Sequence, residues 1–291
     1  MNKRTISVVI TDLDNTLFDW FGIWYRCFRP MLNEIVRISG VPEQRIIREI
    51  RTVHQKYGTT EYAFLIEELP SVRRKHPNGD IRVIYDAAIE AYRENRRRHL
   101  RLYPTVMDTL ASIKQAGCLL VAYTESVEFY TNYRIRKLGL DGVIDVVYSP
   151  PDHAVPEDFT PAYPPETYTF ARTVQRHTPE GEYKPNPKVL LGIIGDIGAA
   201  KDEAVYVGDS LHKDIQMAQA AGVLDVFAAY GRIQEKEAYD LLGRVTHWTQ
   251  EMVERERSAA AQNITPSITL KKEFAEMRAH VHFVDFGKTG E

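Results

Sequence analysis

Ser7-Val8-Val9-Ile10-Thr11-Asp12-Leu13-Asp14-Asn15-Thr16 is the stretch on which the reading of this chain turns. A short β-branched run ends abruptly on a carboxylate, and a second carboxylate follows two positions later. The run has no polar alternation, so it reads as a strand covered on both faces that stops at Asp12. A strand of that kind belongs in a parallel sheet, where helical crossovers cover both sides.

The sequence on either side supplies those crossovers. From about Phe18 to Leu100 the pattern is helical. Ile35, Ile38 and the group Ile46, Ile47, Ile50 recur at helical spacing, as do Ala63, Ile66 and Leu69. Gly40-Val41-Pro42 and residues 70–79 break the pattern, and Asp80 stands where it can cap a long helix through Tyr85, Ala88 and Tyr92. Beyond residue 100, strands and helices alternate. Residues 118–123, 143–148, 204–207 and 225–229 read as strands. Residues 126–138, 187–197 and 211–221 read as helices, with Gly139 and Gly222 as stops for the first and last. Alternation of this kind predicts an α/β, doubly wound parallel sheet with right-handed crossovers.

Two segments do not fit the alternation. Residues 149–183 are rich in proline, acidic and aromatic residues and are too long for an ordinary connection, so they are expected to form an insertion, either a flap gating access or a surface or subunit contact. The tail beyond about Ser258 carries one helix-like piece, residues 270–277, with no assigned role. The expected division is therefore 1–17 with 101–250 as the catalytic core, 18–100 as an all-helical subdomain, 149–183 as an insertion and 251–291 as a C-terminal extension.

The bulk numbers narrow the classes. The 291 residues are 44% hydrophobic and 26% charged, which suits a folded domain with a substantial core and argues against disorder. A net charge of −3 gives no general reason to expect nucleic acid or a membrane surface as partner. Cys27 and Cys118 lie far apart in apolar surroundings, which points away from a disulfide framework and toward a reducing, cytoplasmic setting. Lys3 and Arg4 precede an apolar run, but Asp12 and Asp14 end it too early for a secretory signal. No apolar stretch approaches the roughly 20 residues that span a bilayer.

The chemistry lies in four short clusters at the predicted carboxyl ends of strands, the edge where open α/β sheets bind ligands. They are Asp12 to Thr16, then Thr124, then Lys184-Pro185, then Gly208-Asp209-Ser210 with Asp214. Taken singly, each has a plain explanation. Asp-x-Asp after a strand is ordinarily a turn or cap, Thr124 is followed by Ser126 and Glu128 in capping style, Lys-Pro is ordinarily a solvated lysine, and Gly-Asp-Ser makes a tight strand-to-helix turn. Their order after successive strands is what those explanations leave out. Together they fit phosphoryl transfer. A carboxylate can attack phosphorus and split the reaction into two easier steps. Asp12 and Asp209 can supply hard oxygen ligands for Mg2+. Lys184 offers a point charge and Thr124 a hydroxyl to the phosphate oxygens. The Asn15-Thr16 loop and the chain near Ser126 offer backbone N–H groups. Asp14 is placed to protonate the leaving alcohol and then activate water.

In this order the clusters resemble the signature of the haloacid dehalogenase (HAD) superfamily of phosphohydrolases. The likeness is carried by Val9 to Leu17, by Val205-Tyr206-Val207-Gly208-Asp209-Ser210 through Asp214, and by Lys184-Pro185-Asn186-Pro187. It implies a Rossmann-like core with a helical cap inserted after the first strand. It also implies Asp12 as nucleophile, Asp14 as acid and base, and Asp209 with the Asp14 carbonyl and Asp12 on magnesium. Thr124, Lys184 and Asn15 are implied at the phosphate, with Asp214, Ser210 and Thr16 in support. Asn15 stands where glycine is common, and Glu125 stands where a small polar residue is usual. A carboxylate there repels a phosphate unless it is turned away or meets a substrate group.

Weaker features have plainer readings. The arginines of residues 93–101 suit a solvated helix end, with a basic wall for an anionic substrate as the functional alternative. Trp20, Phe21, Trp24 and Tyr25 read as a cap–core packing seam rather than a substrate cage. His212 reads as a surface residue because magnesium prefers oxygen. The expected activity is magnesium-dependent hydrolysis of a small phosphomonoester. A phosphomutase using the same intermediate and a non-catalytic binding protein on the same fold are the alternatives. A carbon–halogen hydrolase leaves Asp14 without a role, and nothing singles out Lys56 or Lys75 as a Schiff-base lysine. A homo-oligomer is expected to form, if at all, through the insertion or the extension.

Overall fold

The computed structural model describes residues 3–155, 164–231, 236–249 and 264–288. The chain divides into two compact units. One holds Met1–Asp19, Arg101–Arg232 and Ala259–Glu291, and the other Trp20–Leu100 with Ile233–Ser258.

The second unit is helical. Its elements are α1 (Trp20–Ser39), α2 (Glu43–Tyr57), α3 (Leu65–Glu68), α4 (Pro70–Lys75), α5 (Ile81–Ile84) and α6 (Asp86–His99). On α1 the apolar stripe Phe21, Trp24, Phe28, Leu32, Ile35 is buried, with Trp24 stacked on Phe28 at 4.9 Å between ring centroids. Phe21 and Trp24, expected in a seam between cap and core, belong to the core of this unit itself. Gly58 takes the left-handed conformation that closes α2, which glycine adopts without strain. Asp80 accepts from Arg82 N and Val83 N, but it caps only the short α5, and α6 starts separately at Asp86. In the arginine run on α6, Arg93 and Arg97 pair with Glu90 and Arg98 with Glu94, with Arg97 and Arg98 largely exposed.

The first unit is the α/β body. Its strands are β1 (Arg4–Ile6), β2 (Val8–Thr11), β3 (Leu119–Tyr123), β4 (Val146–Ser149), β5 (Val174–His177), β6 (Ala204–Gly208), β7 (Leu224–Ala228), β8 (Ile268–Leu270) and β9 (Val281–Phe283). Seven run parallel in the order β5-β4-β3-β2-β6-β7-β8, and β1 pairs with β9. The chain winds from β2 outward through β3, β4 and β5, then returns to β6 and winds the other way. The order therefore reverses between β2 and β6, and the crevice beyond their carboxyl ends is the natural ligand site of such a sheet. Helices α7 (Val106–Gln115), α8 (Glu128–Lys137), α9 (Pro187–Asp196) and α10 (Gln216–Ala221) flank it. Val8, Ile10, Val121, Leu190, Ile193, Met217 and Ala218 close one core cluster between sheet and helices. Asn186 accepts from Lys188 N and Val189 N and so starts α9, with Pro187 in its first turn. Both cysteines are buried and neither is in a disulfide. Among the described residues, no helix is long and apolar enough to cross a membrane.

Four expectations are corrected here. Residues up to 250 were expected in the sheet body, but the described residues 236–249 belong to the helical unit and include helix α11 (Lys236–Val245). It buries Ala238, Leu241, Leu242 and Val245, and the Val245 carbonyl accepts from His54 Nδ1 at 2.7 Å. Residues 149–183 are not one long loop, because β5 pairs with β4 inside them. Its sequence, Val-Gln-Arg-His, lacks an apolar face because it is an edge strand open to solvent. Residues 156–163 of that insertion lie outside the described residues. In the extension, residues 270–277 are not one helix. Strand β8 ends at Leu270, and the Glu276 carboxylate takes the N–H groups of Lys271 and Lys272 where the chain turns. Finally, residues 211–221 begin as a π-helical turn, Leu211–Ile215, before α10.

His54 carries a pH prediction. It is fully buried, its Nε2 has no hydrogen-bond partner, and burial lowers its pKa to about 4 despite the bond to Val245. The unfolded chain takes up this proton near pH 6.5 and the folded chain only near 4, so full stability holds above 6.5 and is lost as pH falls between the two. Urea unfolding is expected to show a loss of roughly 3 kcal/mol from this group between pH 7 and 4. The H54F variant is expected to lose that much less over the same range. An unchanged pH slope in H54F sinks the assignment.

Candidate active site

The crevice beyond β2 and β6 is built from the sheet outward. The Asp12 N–H still donates to the Val207 carbonyl at 2.8 Å, so the residue stands at the last rung of the pairing. Asp12 is buried, with Lys184 Nζ 2.7 Å from its Oδ1. The same ammonium donates to Asp214 Oδ1 at 3.1 Å. The rings of Tyr123 and Tyr206 flank it at 4.8 and 5.4 Å to their centroids. Asp214 is held on every side: Tyr206 Oη donates to Oδ1 at 2.9 Å and Ser210 N to Oδ2 at 3.0 Å. The π turn is wound around this carboxylate, and Gly208 is required because a Cβ there would overlap it.

The electrostatics follow from crowding acids around one cation. Burial pushes the Asp12 carboxyl up to about 7, against the pull of Lys184 and with help from Asp214 and Asp14. Burial, then Asp214 and Asp12, push Asp209 well above the usual carboxylate range. For Lys184, burial alone acts downward, but Asp12 and Asp214 outweigh it and hold the ammonium protonated. Asp12, Asp209 and Asp214 each present an oxygen within 4.8 Å of the others. One lysine does not balance three carboxylates, so this donor set suits a hard divalent cation. Asp214 has already committed both oxygens, which leaves Asp12 and Asp209 as the side chains able to turn to such an ion.

The family model of the haloacid dehalogenase-like hydrolases matches residues 6–222, which span this whole constellation. The chain belongs to that family. In this HAD hydrolase the relatives are distant. It is 25% identical over 235 residues to a glyceraldehyde 3-phosphate phosphatase of Methanopyrus kandleri, covering 80% of this chain and 88% of that one. It is 26% identical over 233 residues to a phosphoglycolate phosphatase of Agrobacterium fabrum, covering 79% and 84%. A HAD-type protein of Bacillus subtilis, solved bound to magnesium, shares the fold with a TM-score of 0.50 at 15% identity, over 96% and 98% of the two chains. The expectation of a phosphatase agrees with both curated relatives.

The remaining residues singled out in the sequence also have defined places. Asn15 adopts a left-handed conformation, φ 57°, which asparagine tolerates better than most residues. The loop is held from outside: Tyr230 Oη donates to the Thr16 carbonyl at 2.7 Å, and Gly231 packs against the Asn15 carbonyl where no Cβ would fit. The Thr16 hydroxyl faces Asp12 Oδ2 at 3.5 Å. Thr124 is buried, and its Oγ1 accepts from Ser126 N at 3.1 Å, so it closes a local turn ahead of α8. Both carboxylate oxygens of Glu125 are taken up by protein donors. Its Oε1 accepts from Lys184 N at 2.9 Å and its Oε2 from Lys213 Nζ at 2.7 Å. Burial alone would raise its pKa, but Lys213 and Lys184 outweigh that and hold it below the usual range. His212 pairs with Gln216 rather than facing the acids.

The partners of Asp14 were not indicated by the sequence. Ser126 Oγ donates to its Oδ2 at 2.6 Å, and Arg134 Nη1 lies 3.4 Å from its Oδ1. Arg134 and Tyr206 were missed as site residues. Arg134 sits mid-helix among basic neighbours, and only its burial sets it apart; the one available signal was the tyrosine before Val207-Gly208-Asp209.

Proposed function

We propose that this chain is a phosphatase that hydrolyses small phosphomonoesters through a phosphoryl group carried on Asp12. The observation that supports this most directly is the buried Lys184 ammonium bridging Asp12 and Asp214 at the strand-order reversal, with Asp14 two residues along. On this reading an Asp12 oxygen attacks phosphorus, the bond from phosphorus to the ester oxygen breaks, and Asp14 gives that oxygen its proton. Asp14, now a carboxylate, takes a proton from water as the water oxygen attacks phosphorus. The Asp12–phosphorus bond breaks, and alcohol and inorganic phosphate leave. Lys184 and the Thr124 hydroxyl orient the phosphoryl oxygens, while backbone N–H groups of the Asn15-Thr16 loop complete the cradle. Asp12 and Asp209, with the Asp14 carbonyl, would hold magnesium, and Asp214 would fix Lys184. Magnesium bound there would offset the charges of carboxylate and phosphate so that one anion can approach another.

Two relatives named for short phosphorylated substrates support a small, compact ester. The helical unit, expected as a cap from the sequence, is assigned the choice among such esters. The test is a panel of phosphorylated metabolites, including glyceraldehyde 3-phosphate and phosphoglycolate, assayed with magnesium and with EDTA. Turnover of at least one small ester is expected with magnesium. Exhaustive chelation should remove it and added magnesium restore it. Undiminished activity after chelation overturns the metal assignment, and no hydrolysis of any ester overturns the phosphatase reading.

A further inference from the structure

We infer that Arg134 and Ser126 are positioning residues for Asp14, forming a support that aims the acid and base of the reaction. The inference rests on the role proposed above for Asp14. Arg134 lies on α8 and is 7% exposed. A guanidinium buried to that extent is costly unless its charge is met. Its Nη1 lies 3.0 Å from Ser126 Oγ and 3.4 Å from Asp14 Oδ1. Guanidinium nitrogens only donate, so the Ser126 oxygen accepts from Arg134 and directs its single proton elsewhere. That proton goes to Asp14 Oδ2, at 2.6 Å. The polarity of the chain Arg134 to Ser126 to Asp14 is thus set by donor chemistry.

The support is itself clamped. The guanidinium carbon lies 5.8 Å from the ring centroids of both Phe18 and Tyr130. Phe18 is buried and bridged to Asp14 on one side and Leu102 on the other. Ser126 N is tied to Thr124 Oγ1, and the Ser126 carbonyl accepts from Thr131 Oγ1 at 2.9 Å. The groups that fix the Asp14 rotamer are therefore fixed by the same loop and the same strand-to-helix turn that frame the phosphate. A general acid gains from such fixing because proton transfer requires hydrogen-bond reach to the leaving oxygen.

The test separates positioning from mere packing by leaving group. R134M, S126A and D14N are assayed on the most active alkyl phosphate of the panel and on 4-nitrophenyl phosphate, whose leaving group needs little protonation. R134M is expected to lower kcat on the alkyl phosphate roughly 10- to 100-fold with little change in KM, and on nitrophenyl phosphate less than about threefold. S126A removes one hydroxyl, leaves the core packing intact, and should shift the two substrates in the same unequal way. With Asp14 gone there is nothing left to aim, so R134M in the D14N background should cost less than about twofold further. Equal losses on both substrates for R134M and S126A, or an undiminished R134M effect in the D14N background, overturn the inference. If D14N itself fails to discriminate the substrates, the acid and base role falls; if D14N discriminates and the Arg134 and Ser126 variants do not, only the positioning role falls.

Discussion

Replacing Asp12 with asparagine is expected to end turnover while leaving the metal-free fold more stable. The amide keeps the shape and can still accept from Lys184, but it cannot attack phosphorus. Loss of a nucleophile that acts as one unit with its neighbours is expected to cost about five orders of magnitude in kcat. The phosphoryl-enzyme should disappear with it, as read by acid-quenched labelling from a 32P ester. The stability gain follows from burial, which raises the Asp12 carboxyl to about 7. The unfolded chain releases that proton near pH 4 and the folded chain only near 7, so this group costs stability as pH rises between the two. Asparagine carries no such cost, and the variant should be more stable than the parent by roughly 1–3 kcal/mol at pH 7 to 8 in EDTA. Residual turnover above about 1% of the parent, or labelling of the variant, contradicts the nucleophile assignment.

The skeleton of the candidate site is legible in the sequence because it is local. Asp12, Thr124 and Asp209 sit where apolar runs stop, and a parallel sheet brings those stops to one edge. Lys184 was legible only through its neighbours Pro185-Asn186-Pro187, which mark a helix start. What failed to show was set by packing at long range. Arg134 reaches Asp14 across 120 positions of sequence, from a helix whose composition resembles a solvated one. The repulsive carboxylate expected at Glu125 is neutralised by Lys213, which the π turn brings to it across 88 positions of sequence. Strand β5 was hidden because an edge strand needs no apolar alternation. Helix α11 showed no sign of belonging with residues 20–100 because amphipathic spacing names a buried face and not what buries it.

Removing the charge at Lys184 is expected to produce the largest stability effect of any single substitution in the site. In K184M the side chain keeps most of its length and stays apolar between Tyr123 and Tyr206, so the change isolates the ammonium. Lys184 is almost fully buried and is the cation met by both Asp12 and Asp214. Breaking a buried pair by deleting one partner costs about 3–5 kcal/mol, because the opposite charge stays behind in a poorly solvated place. Here two carboxylates stay behind and Asp209 lies beside them, so the upper part of that range is expected. The sign with pH is fixed by the same charges. Lys184 pulls the Asp12 carboxyl down, and without it the folded-state value rises further above that of the unfolded chain. Up to about pH 6 the folded forms of parent and variant both keep the Asp12 proton, so the deficit stays at its smallest; as pH rises through about 7 toward 8 the parent releases that proton while the variant holds it, and the deficit grows. Magnesium should restore part of the loss by neutralising Asp12 and Asp209, so the rise in Tm on adding it should be larger in K184M than in the parent. Activity should not return with stability, because the phosphoryl oxygens have lost a charged donor; a fall of about a thousandfold in kcat is expected even in saturating magnesium. Thermal unfolding of parent and variant at pH 5.5 and 8, each with and without magnesium, reads all three terms. Equal Tm values for the two proteins at both pH values mean that the buried ammonium is not what holds the carboxylates together.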